Sequence, residues 1–378
     1  MKKQICFILA FCLVITLSGC FRADNNPSQT PNNTTDNQET QTKPTEPNFN
    51  ETMVAVSVPT ITDDTVAEDG TVICQYTYQH MSLVLHKPDV ADKIILDFLN
   101  RVDTTTGSAE DIAEMAKQAY SPSATTWIPY LYHITYSPTR VDHQVLSLFG
   151  NNVVYSGAGH PERTCTSANY DLLTGDVLTL ASIMTQNSST EDFCNLVLVG
   201  LSEMAEGDYL YEDYKATVKK RFTADATKDE AWYFTQTGLC FYFSPYEIAP
   251  YSSGVISVEI PYEKLEDLLH EAYFPAGQYV ERGSVKITPF EEANLDNFSH
   301  IAELVTNKDG KMYMLSSDGS IQNVRIQLSD KTGNYTVFAA YSISQGDGIM
   351  IQADDSLLQN MRITYKTGTE IVTAPIIG

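Results

Sequence analysis

The first fifty residues cannot supply a folded core, and this limits the fold to residues 51–378. Two lysines precede an apolar run from Ile5 to Leu17, which is too short to span a bilayer as a mature helix. The small pair Ser-Gly then stands directly before Cys20. A basic start, a short apolar run and small residues at the cut site are typical of a cleaved signal peptide. The sequence therefore predicts a bacterial lipoprotein signal peptide over residues 1–19, with lipidation of Cys20.

The segment 20–50 continues from that cysteine as a polar stretch rich in Asn, Thr, Gln, Pro and Asp. Such a composition buries too little apolar surface to offset the entropy lost on folding. A coil of this length has a root-mean-square end-to-end distance of roughly 30 Å. We therefore expect a disordered tether that holds the chain, through its lipid, at the extracytoplasmic face of the bacterial cell membrane. The alternative is a plain secretory leader followed by a chance cysteine.

The chain is strongly acidic, with a formal net charge of -24 at pH 7, and loss of the leader's two lysines makes the mature chain more negative. A surface of this sign repels phosphate backbones, so nucleic acid is excluded as an expected partner. The same charge attracts basic proteins by steering. A basic extracellular protein is therefore one expected class of partner.

Four cysteines follow the predicted lipidation site, and none of them are spaced as Cys-x-x-Cys. Zinc and thioredoxin-like sites are therefore not indicated, and the sequence predicts no metal and no cofactor. Two disulfides and four free buried thiols are both compatible with the pattern. The residues concerned are Cys74, Cys165, Cys194 and Cys240.

Residues 51–275 alternate between strand and helix patterns, which predicts an α+β domain of mixed antiparallel sheets with packed helices. Strands are predicted over 72–86, 128–141, 144–155, 232–234 and 239–243, with turns at Gly150–Asn152 and Thr174–Asp176. Helices are predicted over 89–101, from Ser108 onward, and over 188–206, 211–224 and 262–273.

Residues 276–378 have a different sequence pattern, in which short apolar runs are separated by Asp-Gly, Thr-Gly and Gly-Asp-Gly turns. This pattern predicts a smaller, mainly β C-terminal domain, built as a sandwich or barrel, with one helix near 291–304.

Two blocks of sequence carry a resemblance to a known family. The first runs from Val153 to Pro161 and continues from Asn169 to Leu180, and the second is Leu239–Gly254. Both resemble the extracytoplasmic paired domain of unknown function in RsiV-type lysozyme-sensing anti-sigma factors and in the non-catalytic part of PdaC-type peptidoglycan deacetylases. The resemblance covers roughly residues 70–275, and implies an α+β fold and a non-catalytic module. One departure is Ala158-Gly159-His160, where relatives tend to have Gly-Ala-His.

The loop that follows Phe243 is the main candidate for partner contact. Proline and glycine punctuate it, and it carries Tyr246, Glu247 and Tyr251. Loops on a rigid scaffold often bind partners, and tyrosine suits interfaces. With His160, these residues are the candidate contact set. The alternative is that both tyrosines pack locally and only fix the loop.

No catalytic motif is present, since the chain lacks a Gly-x-Ser-x-Gly elbow, a His-x-x-x-His pair and a nucleotide-binding loop. The sequence therefore predicts a binding, sensor or decoy module without catalytic activity, which contacts a cell-wall glycan or an extracellular protein such as a lysozyme-like wall hydrolase. The alternative is a peptidoglycan- or glycan-modifying hydrolase with a non-local active site, for which His133, His143, Glu162 and Asp171 are the candidates. A purely structural spacer is a third possibility.

Overall fold

A computed structural model describes residues 53–122, 126–157, 159–204, 209–223, 231–275, 282–330 and 333–376. The predicted signal peptide, the lipidation site Cys20 and the tether over 20–50 lie outside the described residues. The described residues belong to one compact unit.

The secondary structure mixes strands and helices, as the α+β prediction requires. The strands are β1 (Ala55–Ser57), β2 (Thr60–Val66), β3 (Val72–Gln79), β4 (Ser82–Val84), β5 (Tyr130–Val141), β6 (Val145–Tyr155), β7 (Glu162–Asp171), β8 (Trp232–Phe234), β9 (Gly238–Phe243), β10 (Ile256–Pro261), β11 (Val285–Pro289), β12 (His300–Val305), β13 (Lys311–Ser317), β14 (Ile321–Asp330), β15 (Gly333–Ile343), β16 (Asp347–Ala353), β17 (Met361–Thr367) and β18 (Glu370–Pro375). The helices are α1 (Pro88–Ala119), α2 (Leu180–Ile183), α3 (Thr190–Met204), α4 (Tyr214–Thr223) and α5 (Asp355–Gln359).

A five-stranded sheet with the order β2-β3-β5-β6-β7 buries one face against α1. In α1 the apolar residues Val90, Ile94 and Phe98 recur every four positions, so they form one stripe that is buried on the sheet. The ring of Phe98 meets the ring of Tyr136 edge to face, with centroids 5.2 Å apart. Burial of this stripe places α1 across the sheet.

A three-stranded sheet with the order β10-β9-β8 packs with α3 and α4 to form a second core. Buried polar side chains join it to the five-stranded sheet. Ser147 accepts a hydrogen bond from the backbone N–H of Phe234 at 2.9 Å, and Asn169 donates to the carbonyl of Trp232 at 3.0 Å. These side chains satisfy backbone groups of β8 that its own sheet leaves unpaired.

The C-terminal strands form a sandwich, as the turn pattern predicts. A six-stranded sheet with the order β18-β17-β14-β15-β1-β4 packs on a four-stranded sheet with the order β11-β13-β16-β12. Two strands of the six-stranded sheet, β1 and β4, come from the N-terminal part of the chain and pair antiparallel with β15 and with each other. The division into domains at residues 275 and 276 stays a prediction, and these two strands cross it.

The predicted turn at Gly150–Asn152 is wrong, because β6 continues through it. A Cβ at Gly150 would lie 2.7 Å from the ring of Tyr136 and 2.6 Å from the side chain of Thr166. The glycine is therefore required for a close approach within the sheet and not for a change of chain direction. The actual turn lies between β5 and β6, where Asp142 Oδ1 accepts from the N–H groups of Gln144 and Val145.

The predicted helix over 262–273 is also wrong, since the segment forms only short 3₁₀ turns at Tyr262–Lys264 and Glu271–Tyr273. Between these turns the backbone bonds to the end of α2 and to Thr185 just beyond it. The N–H of Thr185 donates to the carbonyl of Leu268, and the N–H of His270 donates to the carbonyl of Ile183. Tertiary backbone bonds thus replace the helical ones.

Two further helix predictions differ from the structure. The two helices expected before residue 120 are one continuous helix, α1. The helix near 291–304 is replaced by 3₁₀ turns and by β12, in which Ala302 and Leu304 are buried while Ile301 and Glu303 are exposed. That alternation has the period of a strand.

Arg140 forms the most deeply buried ionic contact among the described ion pairs. Its side chain is fully buried, and Nε donates to Asp142 at 2.6 Å. The Nη1 group donates to the hydroxyl of Tyr262 and to the carbonyl of Tyr273, both at 2.6 Å. Burial raises the pKa of Tyr262 to about 12, although the nearby guanidinium acts in the opposite direction. Arg140 thus fastens β5 to the segment that ends the second core.

All four predicted thiols are free in the structure. Burial raises the pKa of each thiol, and that of Cys165 rises to about 11. Such groups are poor nucleophiles at neutral pH. Within the described ranges, the structure has no helix with the length and apolar character that crossing a bilayer requires.

His143 gives a testable pH dependence. It packs on the ring of Tyr341 with centroids 4.6 Å apart, and burial lowers its pKa below the ordinary 6.5, although Asp142 acts in the opposite direction. As the pH falls, His143 is therefore protonated in the unfolded chain before it is protonated in the folded protein. The free energy of unfolding should fall as pH drops below about 6.5, because the unfolded state binds more protons there. Urea unfolding between about pH 7 and 5 measures this. The variant His143→Gln should flatten the dependence. An unchanged slope in His143→Gln would contradict the assignment.

Candidate binding surface

Three of the four predicted contact residues lie together on the surface. We call His160, Tyr246 and Tyr251 the aromatic patch. The rings of His160 and Tyr251 are stacked with centroids 4.1 Å apart, and the ring of Tyr246 lies 5.5 Å from that of Tyr251. Tyr246 is 56% exposed. The patch therefore offers a partner aromatic surface that is already assembled from two separate segments of the chain.

Hydrogen bonds fix the rings of the patch. The carbonyl of Pro161 accepts from the hydroxyl of Tyr251 at 2.5 Å, and Nδ1 of His160 lies 3.1 Å from the same oxygen. Since a carbonyl only accepts, Nδ1 carries the proton in this contact. In the neutral ring, Nε2 then accepts from the hydroxyl of Tyr246, 3.0 Å away. The neutral tautomer is therefore determined by these two contacts.

The loop backbone is held as firmly as the rings. Tyr246 has a φ of 70°, a left-handed conformation that costs a residue other than glycine on the order of 1 kcal/mol. Its N–H donates to the carbonyl of Ala249 at 3.1 Å, and Ile248 and Ala249 are buried beneath the loop. The buried pair anchors the loop and holds Tyr246 outward. Little loop entropy is then lost when a partner binds.

Glu247 does not join the aromatic patch. One carboxylate oxygen accepts from Arg221 of α4, and the other accepts from the N–H of Ser244 at 3.0 Å. The guanidinium of Arg221 also lies over the ring of Phe243, 4.6 Å from its centroid. The geometry makes Glu247 a positioning residue, which ties the start of the loop to α4.

A groove beside the patch was not found by sequence reasoning. It lies over the face of the five-stranded sheet that is turned away from α1, and Pro161 is one of its lining residues. The signal in the sequence is weak, because polar side chains at every second position of a strand also occur on ordinary solvated faces. The pairing of distant strands is needed to see that these side chains share one surface.

The residues suggested for a non-local active site lie at two ends of β6. His133 pairs with Val153 and Glu162 pairs with Val154, whereas Asp171 pairs with Val145 at the opposite end. His143 lies in the turn just before Val145. The two ends are about 26 Å apart at the usual rise of a strand. In the part of the chain that the structure describes, no group of three or more His, Cys, Asp or Glu residues is placed to hold a metal ion.

One family model matches part of the chain. Residues 183–263 match the model of DUF3298, a protein family of unknown function. This match includes Tyr246, Glu247 and Tyr251 of the predicted contact set, while His160 lies outside it. No curated protein matches the chain.

Similar solved structures carry the same family name. One is the crystal structure of a DUF3298 family member from Bacteroides fragilis, with 19% sequence identity, 58% of this chain and 94% of that chain covered, and a TM-score of 0.42. Another is a DUF3298 family protein from Pseudomonas aeruginosa, with 16% identity, 59% and 97% covered, and a TM-score of 0.38.

Proposed function

We propose that this chain is a lipid-anchored binding module without catalytic activity at the outer face of the bacterial cell membrane. Its partner is a basic extracellular protein of the wall-hydrolase class, and the aromatic patch is the contact surface. The observation that carries the proposal is the patch itself: exposed rings from two segments, fixed by hydrogen bonds before any partner arrives. Tyrosine is enriched among the residues that dominate binding energies at interfaces.

Charge supports the choice of a basic partner. The formal net charge of -24 gives a field that speeds the encounter with a cationic protein, and this effect weakens as salt is added. The predicted lipid at Cys20 and the tether over 20–50 would allow the module to reach a partner above the membrane. The resemblance to RsiV-type sensors supports the same class of partner, although a relay to the cytoplasm is not part of the proposal.

Binding to lysozyme, used as the basic probe, tests the proposal. We expect the full chain, in detergent, to bind lysozyme with an affinity that falls as salt rises. Tyr246→Ala should raise the dissociation constant about tenfold or more, because it removes the exposed ring of the patch. Biolayer interferometry at several salt concentrations measures both effects.

The matched control is Ile371→Ala, which removes apolar surface from a side chain that is 75% exposed and lies in β18, outside the patch. This variant should bind lysozyme as the unchanged protein does. Binding that does not depend on salt, or that survives Tyr246→Ala unchanged, would contradict the proposal.

A further inference from the structure

The groove beside the aromatic patch has a floor of side chains from four neighbouring strands. Thr62 of β2 pairs with Thr77 of β3, Thr77 pairs with His133 of β5, and His133 pairs with Val153 of β6. Directly paired residues share a face of a sheet, so these side chains form one row across the strands. The other face is covered by α1, so this row lies on the face that is turned toward the groove, where Thr62 is exposed and Thr77 is buried.

The opposite wall of the groove comes from the six-stranded sheet and the segment 305–308. Two adjoining cavities of ≈ 640 Å³ and ≈ 440 Å³ lie between floor and wall, and both are lined by His133, Thr135 and Tyr335. Shared lining makes them one continuous groove. Each volume lies within the range typical of small-molecule sites.

The floor of the groove and its opposite wall are joined by hydrogen bonds at one end. Arg325 of β14 donates to the carbonyl of Thr139 at 2.6 Å, and the N–H of Thr336 donates to the hydroxyl of Ser137 at 3.2 Å. Both acceptors belong to β5, just beyond the floor residues. The width of the groove is therefore set by direct hydrogen bonds and does not depend on a ligand.

The lining of the groove combines apolar and uncharged polar side chains. Its two acidic residues, Glu303 and Asp354, balance the charges of Lys308 and Arg163. Hydroxyl groups are frequent on the floor, the amides of Asn307 and Asn334 lie on the opposite wall, and Phe149 and Tyr335 add aromatic rings. The polar members are Thr60, Thr62, Thr77, Thr135, Asn307 and Asn334. A chain of phosphates would need a row of cations, whereas the two basic residues of this lining are matched by two acidic ones. An extended peptide that adds to a sheet needs a strand edge, whereas the floor is a sheet face.

We propose that the groove binds a neutral oligosaccharide. Sugar hydroxyls and acetamido groups match threonine hydroxyls and asparagine amides as donors and acceptors, and the apolar faces of sugar rings match aromatic side chains. The floor crosses four strands, which is about 14 Å at the usual strand spacing and suits several linked rings. This inference rests on the proposed function for the location at the cell envelope, and it adds a ligand class at a second surface.

The groove ends at the aromatic patch. Pro161 lines the groove, and its carbonyl is the acceptor that holds Tyr251 and His160. A bound oligosaccharide would thus reach the base of the patch without covering the exposed ring of Tyr246. The two surfaces are close enough for a wall glycan and a protein partner to meet on one molecule.

The test uses the soluble hexamer of β-1,4-linked N-acetylglucosamine as the probe and the full chain in a detergent without a sugar headgroup. Isothermal titration calorimetry should detect binding. Thr62→Arg places a long charged side chain into the groove from an exposed position and should weaken binding about tenfold or more. Asn334→Arg, at an exposed position on the opposite wall, should have the same effect.

The matched control is Thr164→Arg. Thr164 is an exposed threonine of the same sheet, next in sequence to the lining residue Arg163 and therefore on the opposite face. It should bind the hexamer normally. Absence of binding by the unchanged protein, or full binding by both groove variants, would overturn the inference. Tyr246→Ala should retain hexamer binding. The two binding assays therefore distinguish an error in the proposed groove from an error in the proposed lysozyme contact.

Discussion

Replacing Arg140 by methionine should lower the free energy of unfolding by about 3–5 kcal/mol, the range for breaking a buried ion pair by removal of one partner. Methionine replaces the unbranched stem of arginine with a similar apolar one, but it leaves the buried carboxylate of Asp142 without its cation. It also removes the donor to the carbonyl of Tyr273 and to the hydroxyl of Tyr262. The connection between β5 and the second core is lost together with the charge. Urea unfolding followed by circular dichroism measures the change.

An exposed ion pair of the same length provides the control. Lys93 Nζ lies 2.6 Å from Asp176, the same distance as Arg140 Nε from Asp142, but both side chains of this pair are more than half exposed. Lys93→Met should therefore cost less than about 1 kcal/mol. The double variant Arg140→Met with Asp142→Asn should recover part of the loss, since it removes the uncompensated charge and keeps an oxygen for the turn. Equal losses in Arg140→Met and Lys93→Met would refute the importance of burial here.

Phe98→Ala should destabilise the protein by about 3–5 kcal/mol, because a fully buried aromatic ring is lost and a cavity remains between α1 and the five-stranded sheet. The ring contacts Tyr136 edge to face, so a specific aromatic contact is lost along with buried area. Thermal and urea unfolding both measure this loss.

Leu96 is the natural comparison for Phe98, because it lies two residues away on the same helix and is 60% exposed. Leu96→Ala should change the free energy of unfolding by no more than about 0.5 kcal/mol. A small effect of Phe98→Ala would show that α1 does not depend on this stripe for its position on the sheet.

The C-terminal strands were predictable from the sequence because their local signals agree with the tertiary structure. Short apolar runs between Asp-Gly and Thr-Gly turns became β13 to β17, and the sandwich followed from them. The helix expected over 262–273 failed for the opposite reason. Its apolar spacing is real, and Leu265 and Leu269 are buried, but backbone bonds to Ile183 and Thr185 override the helical ones. The spacing of apolar residues predicts which side chains are buried, but it does not predict the hydrogen-bond partners of the backbone.

The candidate binding surface was also only partly predictable from the sequence. The grouping of Tyr246 and Tyr251 was accessible to sequence reasoning, because one short loop carries both. Their contact with His160 depends on the Pro161 carbonyl and becomes visible only in three dimensions. The groove was beyond reach, since its floor requires the parallel pairing of β3 with β5 across α1, and its wall comes from strands about 200 residues further along the chain.

The position of β1 determines where the fold would bear mechanical load. The chain enters the described fold through β1, which is hydrogen-bonded to β15 on one side and to β4 on the other. Hydrogen bonds of an antiparallel ladder lie perpendicular to the strands, so tension applied along β1 stretches them together in shear. In the proposed anchored state, drag on a captured partner would thus be resisted by the six-stranded sheet, while β5 and β6 under the groove lie outside that ladder. The strands under the groove would keep their pairing, whereas the opposite wall, which includes β15, belongs to the sheet that carries the load.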